Sequence, residues 1–461
     1  MSASRRPRVV WLALTLLSAC AVDREITATA ELPSLDAVAV TRNPDNALSA
    51  FVQLRVRFAD SVQVRYGTGA TLDSVAPTVI PSGDVATVPV LGLMPKTTYA
   101  LRAFVYRGDQ MIVGSLIGFT TDSLPSDLPR YIAGGTDPSP GYVAFSAGAY
   151  GLVIDNTGRV VWYHRFGAGG PGLNFEPQPN GRYVARPPNA EPAAAWLEVD
   201  PLGVVTRTFG CARSLVARFH DLIGETGGGY WIMCDETRTM DLSSLGGVAA
   251  ARVMGTVIQH VSASGALLFE WSPFDHFDIT DLDAASRTTA SVNWTHGNAL
   301  TLDVDGNLIV SFRSLSEITK IDTRTGAVIW RMGGLRNQFT FQGGAQSGFE
   351  HQHGVRVAGP GELTLLDNLG NPNASSGERY IYDATSRIAR LIESYTPDPA
   401  VIAQLGGTTQ NLARGHVLVA FGNGERVEEY DAMGHVVWHI LGKSGYVFRA
   451  QRIRSLYHPG T

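Results

Sequence analysis

At 461 residues, with a formal charge of −5 and 17% charged residues, the chain is long enough for two or three domains with real cores. It lacks the global basic balance of a nucleic-acid binder. Its 50 Gly and 24 Pro, with few long helical patterns, argue against a helical protein and for many short strands joined by turns.

Residues 1–20 read as an export leader. Arg5, Arg6 and Arg8 make a basic start, and Val9 to Leu17 is an apolar run too short to span a bilayer. Leu17-Ser18-Ala19-Cys20 resembles a bacterial lipobox, which would make Cys20 the lipidated first residue of the mature chain. A periplasmic or outer-membrane-anchored lipoprotein is therefore expected, touching membrane only through its lipid anchor. Cys211 and Cys234 are the remaining cysteines; in an oxidising compartment they can pair across His220, or stay as two buried thiols.

Residues 24–124 form a first unit. Val52 to Phe58 and Val62 to Tyr66 alternate with period two, as half-buried strands do. Leu93 to Ala103, with Tyr99, resembles the turn and strand that carry the tyrosine corner of fibronectin type III sandwiches. A small β-sandwich without reactive groups is expected there. Ser123 to Pro129 reads as a linker.

From about residue 130 a unit repeats: an apolar strand, a polar turn ending in Gly, and a strand that often carries Trp. Gly158 with Trp162, Gly203, Gly265 with Trp271, Gly326 with Trp330 and Gly434 with Trp438 mark five copies. Tyr382 to Ser386 is a sixth that has lost the Gly. The first two glycines are about 45 residues apart, near the roughly 40–50-residue period of propeller blades. Residues 125–461 are thus expected to be an all-β, six-bladed β-propeller behind the sandwich. The tail Tyr446 to Ile453 reads as a strand that completes the first blade.

Three histidines head strands of this repeat. His220, His296 and His353 precede the turn glycines Gly229, Gly306 and Gly361 by eight to ten residues. A shared phase on the innermost strands puts them at one depth on different walls of one channel. Alternation places Asn298 beside His296 and His351 beside His353. Arg313 ends the strand returning from Gly306 and reaches the same mouth.

Taken singly, each His is as well explained by a strand cap or a satisfied buried carbonyl. His351-Gln352-His353 puts two imidazoles on one face, but no HExxH spacing or carboxylate cluster accompanies it, so no metal is expected. No nucleotide cofactor is expected either. Gly442-Lys443-Ser444 lacks the first P-loop glycine, because Val437 stands there. Pro171, Pro177 and Pro179 forbid the helix that Gly167 to Gly172 would need to hold a pyrophosphate.

The repeat, together with Phe219-His220-Asp221, His296-Gly297-Asn298 and Gln352-His353-Gly354-Val355-Arg356, resembles the bacterial arylsulfate sulfotransferases over nearly the whole chain. The resemblance implies transfer of a sulfuryl group from a phenolic sulfate to a phenolic acceptor, with no nucleotide donor. It implies His353 as the transiently sulfated nucleophile, with His351 as an added neighbour. His220, His296, Asn298 and Arg313 fall on its sulfate-binding and proton-handling positions. On the residues alone two other readings stay open: a non-catalytic propeller that binds a polymer or protein partner, and a metal-dependent propeller enzyme.

Overall fold

The structure, a computed structural model, describes residues 31–460 apart from 70, 168, 171 and 189–194; the leader and Cys20 lie outside the described residues. The described chain is all-β, built mainly of antiparallel strand pairs, with one short α-helix at Pro273–His276 and a few 3-10 turns. Among the described residues no helix is long and apolar enough to cross a membrane.

The N-terminal strands form two sheets. Ser34–Arg42, Ala50–Arg57 and Val85–Val90 make one; the other is centred on Ser61–Gly67 and Thr98–Arg107. Val52, Leu54 and Val56 turn inward while Gln53, Arg55 and Arg57 face water, and the inward set meets Val64, Leu101 and Val105. The Tyr99 hydroxyl accepts from Met94 N at 2.8 Å, pinning the turn before its own strand. This unit docks on the rest of the chain through Asn46 Nδ2 to Tyr163 O (3.1 Å), Ala47 N to the Tyr163 hydroxyl (2.8 Å) and Leu91 N to the Tyr457 hydroxyl (3.0 Å). Leu48, fully buried, joins Phe145 and Tyr150 there. Its burial contributes about 1.5–3 kcal/mol.

Residues 133–453 build six sheets, each a four-stranded antiparallel meander or an extension of one. Strands such as Leu308–Phe312 and Glu317–Ile321 are buried along their whole length, because both faces of their sheet are covered. The repeated turn lies before the last strand of each meander. Gly158 and Gly203 sit there at φ 88°, and the copy without Gly puts Arg387 at φ 57° instead. The fourth-strand Trp docks on the following sheet: Trp162 Nε1 donates to Pro201 O (2.7 Å), Trp271 lies beside Gly326, and Trp330 packs on Tyr382. Trp438 Nε1 donates to Asn156 O (2.9 Å), so the sixth sheet meets the first. The tail strand Ala450–Ile453 pairs with Tyr142–Ala147, which completes the first sheet as the sequence anticipates. Ala133–Gly135 adds to the sixth sheet, a crossover that no local pattern announces.

One edge strand of each sheet packs toward its counterparts: Phe175–Pro177, Val216–Gly224, Gly297–Leu302, His353–Gly359, Thr408–Asn411 and Ala450–Ile453. These are the central strands, and the candidate chemistry lies along them.

Candidate functional site

Two successive bands of polar residues cross the central strands. The first, at their N-terminal ends, holds the histidines. His220 Nε2 lies 3.3 Å from His296 Nε2, with the rings edge to face. Phe448, from the tail, stands between His220 and His353 with ring centroids 5.8 and 6.3 Å away. His220 and His353 are buried. His296 and His351 both have left-handed backbone, at φ 47° and 53°, a geometry that costs a side-chain-bearing residue about 1–3 kcal/mol. The backbone counterpart of His296 is therefore His351 rather than His353. His296 and His351 both stand ten residues before their turn glycines, Gly306 and Gly361, and the register breaks just after each, between Gly297 and Ala299 and between His353 and Arg356.

Arg218, buried, directs the protons of this band. Its Nε lies 3.0 Å from both His220 Nδ1 and Gly297 O, and its Nη1 pairs with the Asp235 carboxylate. A guanidinium N–H only donates, so His220 Nδ1 accepts and its hydrogen sits on Nε2. His296 Nε2, 3.3 Å from that nitrogen, faces the hydrogen, and the Asn293 side-chain amide nitrogen lies 2.6 Å from His296 Nδ1.

All the imidazoles are held neutral. Burial first, then the Arg218 charge, drives His220 well below its ordinary value. Burial, Arg218 and Arg313 bring His296 down to about 2. Burial brings His353 to about 3, against a partly compensating hydrogen bond that the ring donates to Asn368 Oδ1. Burial and Arg313 also lower His351. Arg313 thus acts electrostatically on His296, His351 and His353 together. Its Nη2 donates to Gln404 O (3.1 Å), while its buried Nε has no partner. The buried His351 Nδ1 and Asn298 Oδ1 are likewise unpartnered. Asn298 Nδ2 donates to Gln352 O at 2.7 Å, tying one central strand to the backbone just before His353.

The second band follows within a few residues. Arg449 Nη1 pairs with the Glu176 carboxylate and with Asp221 (3.1 Å), and its Nη2 donates to Asn298 O (2.6 Å). Arg356 reaches Asp221 at 2.9 Å and Glu176 at 3.2 Å. Burial alone would raise the Asp221 carboxyl, but Arg356 and Arg449 outweigh it and hold it low. Past this band a cavity of about 630 Å3 opens at the C-terminal ends of the central strands, bordered by Gln178, Ile223, Leu302, Arg356 and Gln410.

The structure thus brings His220, His296 and His353 together around Phe448, with Asn298 one strand away and Arg313 and His351 at the edge. Cys211 and Cys234 are joined by a disulfide, Cα to Cα 6.1 Å, that braces the segment before His220. Among the described residues, no group of three or more His, Cys, Asp or Glu is arranged to hold a metal ion. Sequence reading missed Arg218, Asn368, Phe448 and Arg449. An Arg two residues before His220 and another inside the apolar tail strand were the only signals available for the charged pair.

A model of the family described as Arylsulfotransferase (ASST) matches residues 206–443, just over half of the chain, and spans His220, His296, Arg313 and His353. The chain belongs to the arylsulfotransferase family. The matched span of this arylsulfotransferase-family chain takes in the histidine band but stops short of Phe448 and Arg449. No curated protein matches its sequence. Among solved structures it is similar to a protein of unknown function from Bacteroides caccae, with TM-score 0.44 and 12% identity over 69% of this chain and 100% of that one. A streptogramin B lyase follows, with TM-score 0.39 and 12% identity over 69% and 85%. A catalytically inactive virginiamycin B lyase from Staphylococcus aureus with quinupristin has TM-score 0.39 and 10% identity over 68% and 91%. Likeness at these scores carries no argument about function.

Proposed function

We propose that this chain transfers a sulfuryl group from a phenolic sulfate ester to a phenolic acceptor through a sulfohistidine at His353, without a nucleotide donor. In this reading the six sheets are the blades of a propeller behind a fibronectin-III-like sandwich, with the boundary near residue 125. The chain is exported and anchored by lipid at Cys20, a view that the disulfide supports.

The observation that carries the reading is the meeting of three neutral imidazoles, His220 and His353 buried and His296 half-buried, with Arg313, which keeps a buried N–H unpartnered. A neutral imidazole is a competent nucleophile near pH 7. Sulfuryl transfer, like phosphoryl transfer, passes through a loose transition state with charge on peripheral oxygens, so positioning and fixed donors do most of the work. Arg313 and the His220 Nε2–H donate to those oxygens, and Asn298 holds the strand that carries His353. The bound sulfate ester is an anion, and its charge raises the depressed His296 pKa. Protonated His296 gives its proton to the departing phenolate and regains one from the acceptor phenol.

The test is incubation with a chromogenic aryl sulfate and no acceptor, followed by digestion and mass spectrometry at neutral or basic pH. The sulfuryl mass is expected on the peptide containing His351 and His353, localised to His353, with ping-pong kinetics once a phenol is added. His353→Ala should abolish labelling and His351→Ala should keep it. Labelling at His351 alone, or a ternary-complex pattern, refutes the assignment.

A further inference from the structure

Asn368 is fully buried just behind His353, and its orientation is settled by its neighbours. Its Nδ2 donates to Ala403 O at 2.6 Å and to Gly406 O at 3.0 Å. Both partners are carbonyls and can only accept, so the amide nitrogen must face them. That leaves Oδ1 toward His353 Nδ1, at 2.9 Å. The frame is braced further by Ser375, whose hydroxyl donates to Asn368 O (2.8 Å) and accepts from Ala403 N (2.7 Å).

An amide oxygen has no hydrogen to give. The hydrogen in the short contact therefore belongs to His353 Nδ1, and a neutral imidazole has only one N–H. We propose that Asn368 is the positioning residue that holds His353 in its Nδ1–H tautomer and so makes Nε2 the nitrogen that bonds sulfur. The tautomer follows from geometry; the use made of it rests on the sulfuryl-transfer reading. Two features support the assignment. The low basicity of His353 keeps the ring neutral with Nε2 unprotonated. Phe448 lies edge to face against the ring, limiting its rotation.

The choice of an amide over a carboxylate has a chemical consequence. The Nε2 lone pair bonds to sulfur, the ester S–O bond breaks, and its electron pair leaves on the aryl oxygen. The ring keeps its Nδ1 hydrogen and becomes an N-sulfoimidazolium. Asn368 Oδ1 accepts a hydrogen bond from that N–H but cannot take the proton, so the ring stays positive and the N–S bond stays weak. When the acceptor oxygen attacks sulfur, the N–S pair returns to Nε2 and the starting tautomer is restored. A carboxylate at this position would pair with the positive ring and stabilise the intermediate.

Histidine-selective 15N labelling of the full chain reads the tautomer without any substrate, with His353→Gln assigning the ring. The expected wild-type signature is a single Nδ1–H form. Asn368→Ala should release the Nε2–H form and slow enzyme sulfation by about 10²-fold, in line with losses seen when the group orienting a reactive imidazole is removed. Ser375→Ala removes a hydrogen bond from the same buried frame but spares Oδ1, so it should keep both tautomer and rate. Asn368→Asp should still be sulfated by donor but accumulate sulfoenzyme and pass it slowly to phenol. An Nε2–H form in the wild type, or an unchanged tautomer in Asn368→Ala, overturns the proposal. A tautomer that responds as stated in a chain that transfers no sulfuryl group would uphold the positioning and sink the proposed function instead. Equal losses in Asn368→Ala and Ser375→Ala, with no tautomer change, would reduce Asn368 to a structural residue.

Discussion

The two polar bands on the central strands differ in how fully their buried polar atoms are paired. In the second band each carboxylate oxygen of Glu176 and Asp221 accepts at least one hydrogen bond or ion pair, and Arg356 and Arg449 share those acids between them. In the first band Arg313 Nε, His351 Nδ1 and Asn298 Oδ1 are buried without partners, and His296 and His351 hold a strained backbone. Native cores pair their buried polar groups, so unpaired atoms and strain together mark where a ligand's own donors and acceptors belong. The second band, with its acids fully paired and only Arg449 Nε unpartnered, ties five segments of the chain together; the first band is where chemistry fits. Two adjacent tail residues serve both, Phe448 against the histidines and Arg449 among the acids.

This contrast predicts different damage at each level. The largest effect is expected for Arg449→Met, which leaves two buried acids with Arg356 as their only cation. Breaking one partner of such a pair costs about 3–5 kcal/mol, read as a lower denaturant midpoint at constant slope. A loss under about 1 kcal/mol would mean that the second band is not the structural one. Arg313→Ala and His296→Ala should do the reverse, each raising the barrier to transfer by about 3 kcal/mol while leaving the unfolding midpoint nearly unchanged. Steady-state turnover checks this, and near-wild-type rates for both would remove them from the site.

Acidification sharpens the same distinction. The folded-state pKa values of His353 (about 3) and His296 (about 2) lie below the ordinary 6.5, and that of His220 lies well below it. Between those values and 6.5 the unfolded chain binds more protons than the folded one. Stability is therefore full above about pH 6.5 and falls as pH drops toward about 3. Unfolding free energies across pH 7 to 5 should show this slope, reduced in His353→Gln; an identical slope in that variant would contradict the neutral buried ring. Sulfation by donor should meanwhile show no loss of nucleophile through pH 6.5. The smallest effect is expected from removing the N-terminal unit up to about residue 125. Its hydrogen bonds to the rest of the chain run through Tyr163, Leu202 and Tyr457, away from the histidines. Turnover per folded molecule should hold even if exposing the Leu48 contact lowers stability.

Local chemistry alone determined a good deal of this protein. Turn glycines, alternating strands and the recurrent Trp are short-range signals: a left-handed turn needs Gly or bears strain, as Arg387 shows, and a sheet covered on both faces needs apolar runs. The histidines were legible because each heads a strand in a repeated unit. What only the tertiary structure decided is which groups control them. Arg218 bonds Gly297 across 79 residues, Asn368 is oriented by carbonyls 35 and 38 residues away, and Arg449 meets Glu176 across 273. Such partners leave no periodicity, because they meet only when the central strands of separate sheets pack together. The tautomer of His353 is set in that way: the ring is written in the sequence, and the place of its proton depends on an amide held by two distant carbonyls.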